Sequence, residues 1–163
     1  MPTVVAYHFP GPDDADRAHA AIDGLAALHL ADVRDIARIR WPREAPAPEI
    51  DHGANLTGVG ALEGAFAGTV IGWLVLQPWL GAVVGAAAGA VIGHAVDVGL
   101  DESFITEARA GISPGSSALI VLYADQPSPA VTDAFREAGI TPDAASTTIT
   151  VAQEHRLRDL FHR

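Results

Sequence analysis

Apolar positions change their period along the chain, and the changes mark its elements. Val4-Val5-Ala6-Tyr7 is a short continuous apolar run that ends at Pro10-Gly11-Pro12, the pattern of a buried strand followed by a turn. Ala15, Ala18, Ile22, Leu25 and Ala26 then recur at helical spacing behind Asp13, Asp14 and Asp16, predicting a helix over 13–28. Residues 33–41 set Val33, Asp35, Ala37 and Ile39 against Arg34, Ile36, Arg38 and Arg40, the alternation of a half-buried edge strand. Three prolines within 42–48 read as a loop. Asp51-His52 falls in a loop or edge strand beyond it, and His8 at the end of the first strand, where a solvated histidine is expected.

The second half repeats this order. After an N-cap at Asp101, a helix is predicted over 102–110, ended by Gly111 and Pro114. Ile120-Val121-Leu122-Tyr123 leads to Pro127-Ser128-Pro129, a helix over 129–137 ended by Gly139, and a Thr- and Ile-rich strand over 146–151. A last amphipathic helix, 152–161, carries Leu157, Leu160 and Phe161 beside Arg156 and Arg158, with Arg163 just after. In the register that aligns the two halves, Tyr7 matches Tyr123 and Ala18 matches Ala134. Two βαβ units in one small chain predict an α+β fold on the ferredoxin-like, split-βαβ plan, with two helices on one sheet face and the other face open.

Between the halves lies a different kind of sequence. Ten of the 16 glycines fall between Gly58 and Gly99, and the 30 residues from Gly64 to Gly93 carry no charge. Gly60, Gly64, Gly68 and Gly72 recur every four residues, and Gly81, Gly85, Gly89 and Gly93 do the same, with Trp73, Pro78 and Trp79 between the two runs. Positions four apart share a helix face, so each run draws a smooth stripe. The reading is an inserted glycine-zipper hairpin, helices 57–76 and 79–96, with its tip at Trp73, Pro78 and Trp79. Eight interior glycines cost on the order of 8 kcal/mol relative to alanine, which close backbone packing of the helices must offset. The chain thus divides into 1–56, 57–99 and 100–163. His94, three residues before Asp97, forms a candidate polar mouth for the hairpin.

Composition restricts function more than it specifies it. Twenty acidic residues against ten arginines give a formal charge of −10, which repels nucleic acid. No cysteine is present, so disulfides, thiolate metal sites and cysteine nucleophiles are excluded. The seven histidines show no metal-ligand spacing, and neither metal nor cofactor is expected. Gly58-Val-Gly60 opens a four-residue rhythm and not a dinucleotide turn, and Ser116-Ser117 follows a Pro-Gly turn and not a nucleophile elbow. Those serines are expected to bond local backbone. Arg34, Arg38, Arg40 and Arg43 form the one basic cluster in the first half. It can hold an anion, but pairing with acidic surface or plain solvation is the favoured reading.

An uncharged stretch of this length in a monomer would expose more apolar surface than water tolerates. Pro78 divides the uncharged run into two stretches that each fall short of the roughly 20 residues that span a bilayer. The function expected is therefore non-enzymatic self-association, with the hairpin either inserted in a membrane or forming the core of a homo-oligomer. The alternative is a carrier for a hydrophobic small molecule such as a lipid or quinone. The N-terminal residues show no targeting pattern. The expected location is the cell membrane with the soluble parts on its cytoplasmic side, or alternatively the cytoplasm as a soluble oligomer.

Asn55-Leu56-Thr57-Gly58, the glycine hairpin, Asp97-Val98-Gly99-Leu100-Asp101, Phe104-Ile105 and Pro114-Gly115-Ser116-Ser117-Ala118-Leu119 together resemble a bacterial family catalogued as domain of unknown function 1269, described as predicted membrane proteins. The resemblance implies a helix start at Asp101–Glu102 and a helix-to-strand turn at 114–117. It supplies no catalytic residue.

Overall fold

The structure, a computed structural model, describes residues 1–52 and 100–159, with side chains through 155. Along the chain run β1 (Thr3–Phe9), α1 (Asp14–Ala27), β2 (Val33–Arg40), β3 (Glu49–His52), α2 (Glu102–Ala110), β4 (Ser117–Tyr123), α3 (Pro129–Glu137), β5 (Asp143–Thr148) and α4 (Val151–Asp159). The expected hairpin lies outside the described residues. So do Gly60, Gly64, Gly68, Gly72, Gly81, Gly85, Gly89, Gly93, Trp73, Pro78, Trp79, His94 and Asp97.

The strands form one five-stranded sheet in the order β3-β2-β4-β1-β5, and every neighbouring pair is antiparallel. β1 and β4 are buried along their whole length because both faces of the sheet are covered. One face carries Val5, Tyr7, Phe9, Leu119, Val121 and Tyr123, which pack under Ala15, Ala18 and Ile22 of α1 and Val131 and Phe135 of α3. Phe135 meets the ring of Tyr7 edge-on, with centroids 5.1 Å apart. The other face carries Val4, Ala6, Ala37, Ile39, Ile120 and Leu122, packed with Leu100, Phe104, Ile105 and Ala108. That face was expected to be open, but α2 occupies it. The apolar positions of α2 sit at i, i+1 and i+4, and burying each large one contributes roughly 1.5–3 kcal/mol.

β2 departs from the expected edge strand in two ways. It is an interior strand, because β3 pairs along its outer side with Ile39 opposite Ile50. A bulge between Val33 and Asp35 also breaks the simple alternation. Val33 therefore packs with the α1 face while Ala37 and Ile39 pack with the α2 face. Asp35 is buried at the bulge, where its Oδ1 accepts a hydrogen bond from the backbone N–H of Ile36 at 2.8 Å. β5 begins three residues before its expected start, at Asp143, and ends at Thr148.

Turn chemistry closes the fold at the points the sequence marks. Asp101 caps α2 by accepting from the backbone N–H of Ser103 at 2.9 Å and from its hydroxyl at 2.8 Å. These bonds hold the Asp101 carboxyl below its ordinary range. Ser128 caps α3 in the same way, accepting from Ala130 N–H at 3.2 Å. Between α2 and β4, Ser116 N–H bonds back to the Ser113 carbonyl at 3.0 Å, and Gly115 sits at φ 86°. Glycine is the residue that adopts that conformation without strain.

Candidate functional site

Three groups of polar residues stand out from this frame. The first is the arginine cluster: Arg34, Arg38 and Arg40 bind carboxylates of their own chain, and the Arg43 side chain lies against Gly115. β2–β3 register puts Arg38 opposite Asp51 and Arg40 opposite Glu49, on the side of the sheet that meets the start of α1. Arg38 donates to Asp16 at 2.9 Å and to Asp51. Arg40 donates to Asp13 at 2.9 Å and to Glu49 at 3.4 Å. Four carboxylates thus meet two guanidinium groups, which leaves this part of the cluster net acidic and unfit for an anion. Arg34 points elsewhere and pairs at 2.7 Å with Glu154 of α4, a buried carboxylate. The three acidic residues that open α1 were read as a helix start, and two of them also anchor the β2–β3 edge.

His19 lies beside this network on α1, with Nε2 3.5 Å from Asp23 Oδ1. Burial pushes its pKa below the ordinary histidine value, and Arg38 pushes the same way; Asp23, Asp51 and Asp16 oppose them without winning.

The second group lies at the opposite end of the sheet, around His8. Alternation along β1 puts His8 on the α2 side with Val4 and Ala6, and sheet register sets it opposite Asp143 of β5. The residue is buried, which corrects the solvated strand-end histidine expected for it. Its Nε2 lies 2.7 Å from the carbonyl oxygen of Ala108, in the last turn of α2. A carbonyl only accepts, so Nε2 carries the proton of this hydrogen bond. Gly111 makes room for the ring: a Cβ there would stand 2.2 Å from His8 Cδ2. A cleft of about 540 Å³ opens beside this contact, walled in part by His8, Glu107, Gly111, Ser116 and Asp143. Among the described residues, two carboxylates and one imidazole but no arginine line it, so its chemistry suits water or a cation better than an anion. Among the described residues, no group of three His, Cys, Asp or Glu side chains is placed to hold a metal ion.

The third group is structural. Ser117 donates to the Gly11 carbonyl at 2.6 Å and accepts from Ala15 N–H at 3.0 Å, so a strand residue satisfies the first turn of α1. Ser116 bonds the Ser113 carbonyl at 2.6 Å. Both serines bond backbone, as their place after a Pro-Gly turn implied.

The described residues define a mixed α/β protein: a five-stranded antiparallel sheet with four helices, joined in sequence by a glycine-rich uncharged segment. The chain belongs to the family described as "Protein of unknown function (DUF1269)", whose family model matches residues 61–162. No curated protein and no solved structure matches the chain. Among the described residues, no helix is long and apolar enough to cross a membrane.

Proposed function

We propose that the chain is a non-enzymatic, self-associating protein, in which a ferredoxin-like domain carries a glycine-zipper hairpin that seeks an apolar neighbour. The split-βαβ plan is supported by the strand order. With β3 set aside, the sequence β5-β1-β4-β2 places β1 parallel to β2 and β4 parallel to β5, each pair joined through a helix on one face.

One observation carries the functional reading. Thirty consecutive uncharged residues, with glycines in steps of four, are inserted between β3 and α2 in a chain that already supplies helices to both faces of its sheet. A segment of that composition needs an apolar neighbour. Its neighbour is a bilayer reached from the cytoplasmic side or the hairpins of other copies. The cleft beside His8, with Glu107 and Asp143 in its wall, offers little to a lipid or quinone, so the carrier alternative draws no support from it.

Fractionation of the full chain expressed without detergent tests the proposal. Recovery as a large soluble particle selects a homo-oligomeric core, and recovery only in the membrane pellet selects insertion. Gly68→Leu with Gly85→Leu is expected to change the particle size or the partition. A monodisperse monomer in plain buffer overturns the reading.

A further inference from the structure

We propose that the β5 edge of the sheet is a second association surface, where another copy of this chain adds its own β5 in antiparallel register about Ser146. The inference rests on the sheet and is independent of the hairpin.

The two ends of the sheet are treated differently. β3, at one end, is four residues long, and its Glu49 and Asp51 are held by Arg40 and Arg38. Short length and charge are the usual devices that stop an edge from recruiting another strand. β5, at the other end, pairs with β1 along its whole length and has no second strand neighbour among the described residues. β5 is six residues long and carries one charge, Asp143 at its first position, with none along the rest of the strand. From Ala144 to Ala152 the chain has nine residues without a charge or a proline, in a protein of formal charge −10. No register shift interrupts the β1–β5 ladder, so the outer backbone groups of β5 run in a regular row. Ser146 and Thr148 are exposed.

Charge selects both the partner and the register. A strongly acidic chain repels its own copies, and the run without charge along β5 lowers that repulsion locally. Antiparallel pairing about Ser146 sets Ala144 opposite Thr148 of the other copy and Ala145 opposite Thr147. The two Asp143 carboxylates then lie about 20 Å apart, six residues along the strand at roughly 3.4 Å each. That is beyond the Debye length of about 8 Å at physiological ionic strength. The pairing is isologous, so it closes as a dimer and does not propagate.

The absence of native cysteine permits a clean test in the full chain. Ser146→Cys places the two sulfurs on directly opposed residues, with Cα atoms about 4.5–5.5 Å apart, within disulfide reach. Thr148→Cys places them about 14 Å apart, out of reach. Under mild oxidation S146C is expected to form a covalent dimer at least tenfold faster than T148C or the α3 surface control T132C. An equimolar mixture of A144C and T148C is expected to form the mixed dimer. Repeating S146C in the Gly68→Leu/Gly85→Leu background separates the two surfaces, because cross-linking is expected to persist there even where particle size changes. Equal rates for S146C, T148C and T132C, or loss of S146C cross-linking in that background, would overturn the β5 interface.

Discussion

The phenolic oxygens of Tyr7 and Tyr123 lie 3.1 Å apart inside the core, although the two residues sit four positions out of register on neighbouring strands. Tyr7 faces Leu119, and Tyr123 faces Thr3. Their rings run toward each other along one face, and each hydroxyl is the other's partner. The two tyrosines occupy matching places in the two βαβ halves, so the internal repeat converges on one hydrogen bond.

Removing one hydroxyl of this pair leaves the other buried without it. Tyr7→Phe or Tyr123→Phe alone is expected to cost about 1–3 kcal/mol, while the double variant costs less than the sum. Urea unfolding of the four proteins measures the coupling, and additive losses would show that the bond is not held. The pair also predicts an alkaline limit. Burial raises both phenol pKa values above the ordinary tyrosine value of about 10, so the folded state holds these protons after the unfolded chain releases them. Their contribution is complete below about pH 10 and falls as the pH rises from there toward the raised folded values. The double Phe variant is expected to lose less stability than the parent over that interval.

How far the fold was legible depended on how locally each element is determined. α2 and α3 were readable to the residue because Asp101 and Ser128 cap them and Gly111 and Gly139 follow. β1 and β4 were readable as continuous apolar runs, since strands covered on both faces need no alternation. The second covered face was not readable, because the apolar positions of α2 do not announce which surface they meet. The Val33/Asp35 bulge was equally hidden: it shifts one residue and reverses which face Val33 serves. The arginine pairs depend on bringing Asp13 and Asp16 against β2, a tertiary event. His8 did carry a signal, since it continues the inward alternation of Val4 and Ala6, and a solvated reading ignored it. The glycine steps at 60–72 and 81–93 are the plainest feature of the sequence, and they lie outside the described residues.

α1 ends in a backbone arrangement that usually belongs to glycine. Leu30 N–H bonds the Leu25 carbonyl at 2.9 Å and His29 N–H bonds the Ala26 carbonyl at 3.0 Å, the paired bonds of a Schellman motif. The left-handed position is filled by His29, at φ 58°. A side chain there costs roughly 1–2 kcal/mol, and His29 is exposed. His29→Gly is expected to raise stability by about 1 kcal/mol, or about 2–4 °C in a chain of this size. A thermal melt checks it, and an unchanged or lower midpoint would show that His29 has a partner that outweighs the strain.

Gly111 and His8 make the sharpest test of the cleft, because the sign of one substitution depends on the other. Gly111 has ordinary helical dihedrals, φ −78° and ψ −8°, so alanine meets no backbone strain there. What opposes it is the imidazole, 2.2 Å from the position of a new Cβ. Gly111→Ala is therefore expected to displace the ring, break its bond to the Ala108 carbonyl and cost about 1–3 kcal/mol. In a His8→Ala background the same methyl enters vacated space. There Gly111→Ala is expected to stabilise by about 0.4–1 kcal/mol, through the reduced entropy of the unfolded chain. Urea denaturation of the two single variants and the double variant gives the coupling directly. A cost for Gly111→Ala that is the same with and without the imidazole would mean that the ring does not occupy this space, and the His8 wall of the cleft would have to be redrawn.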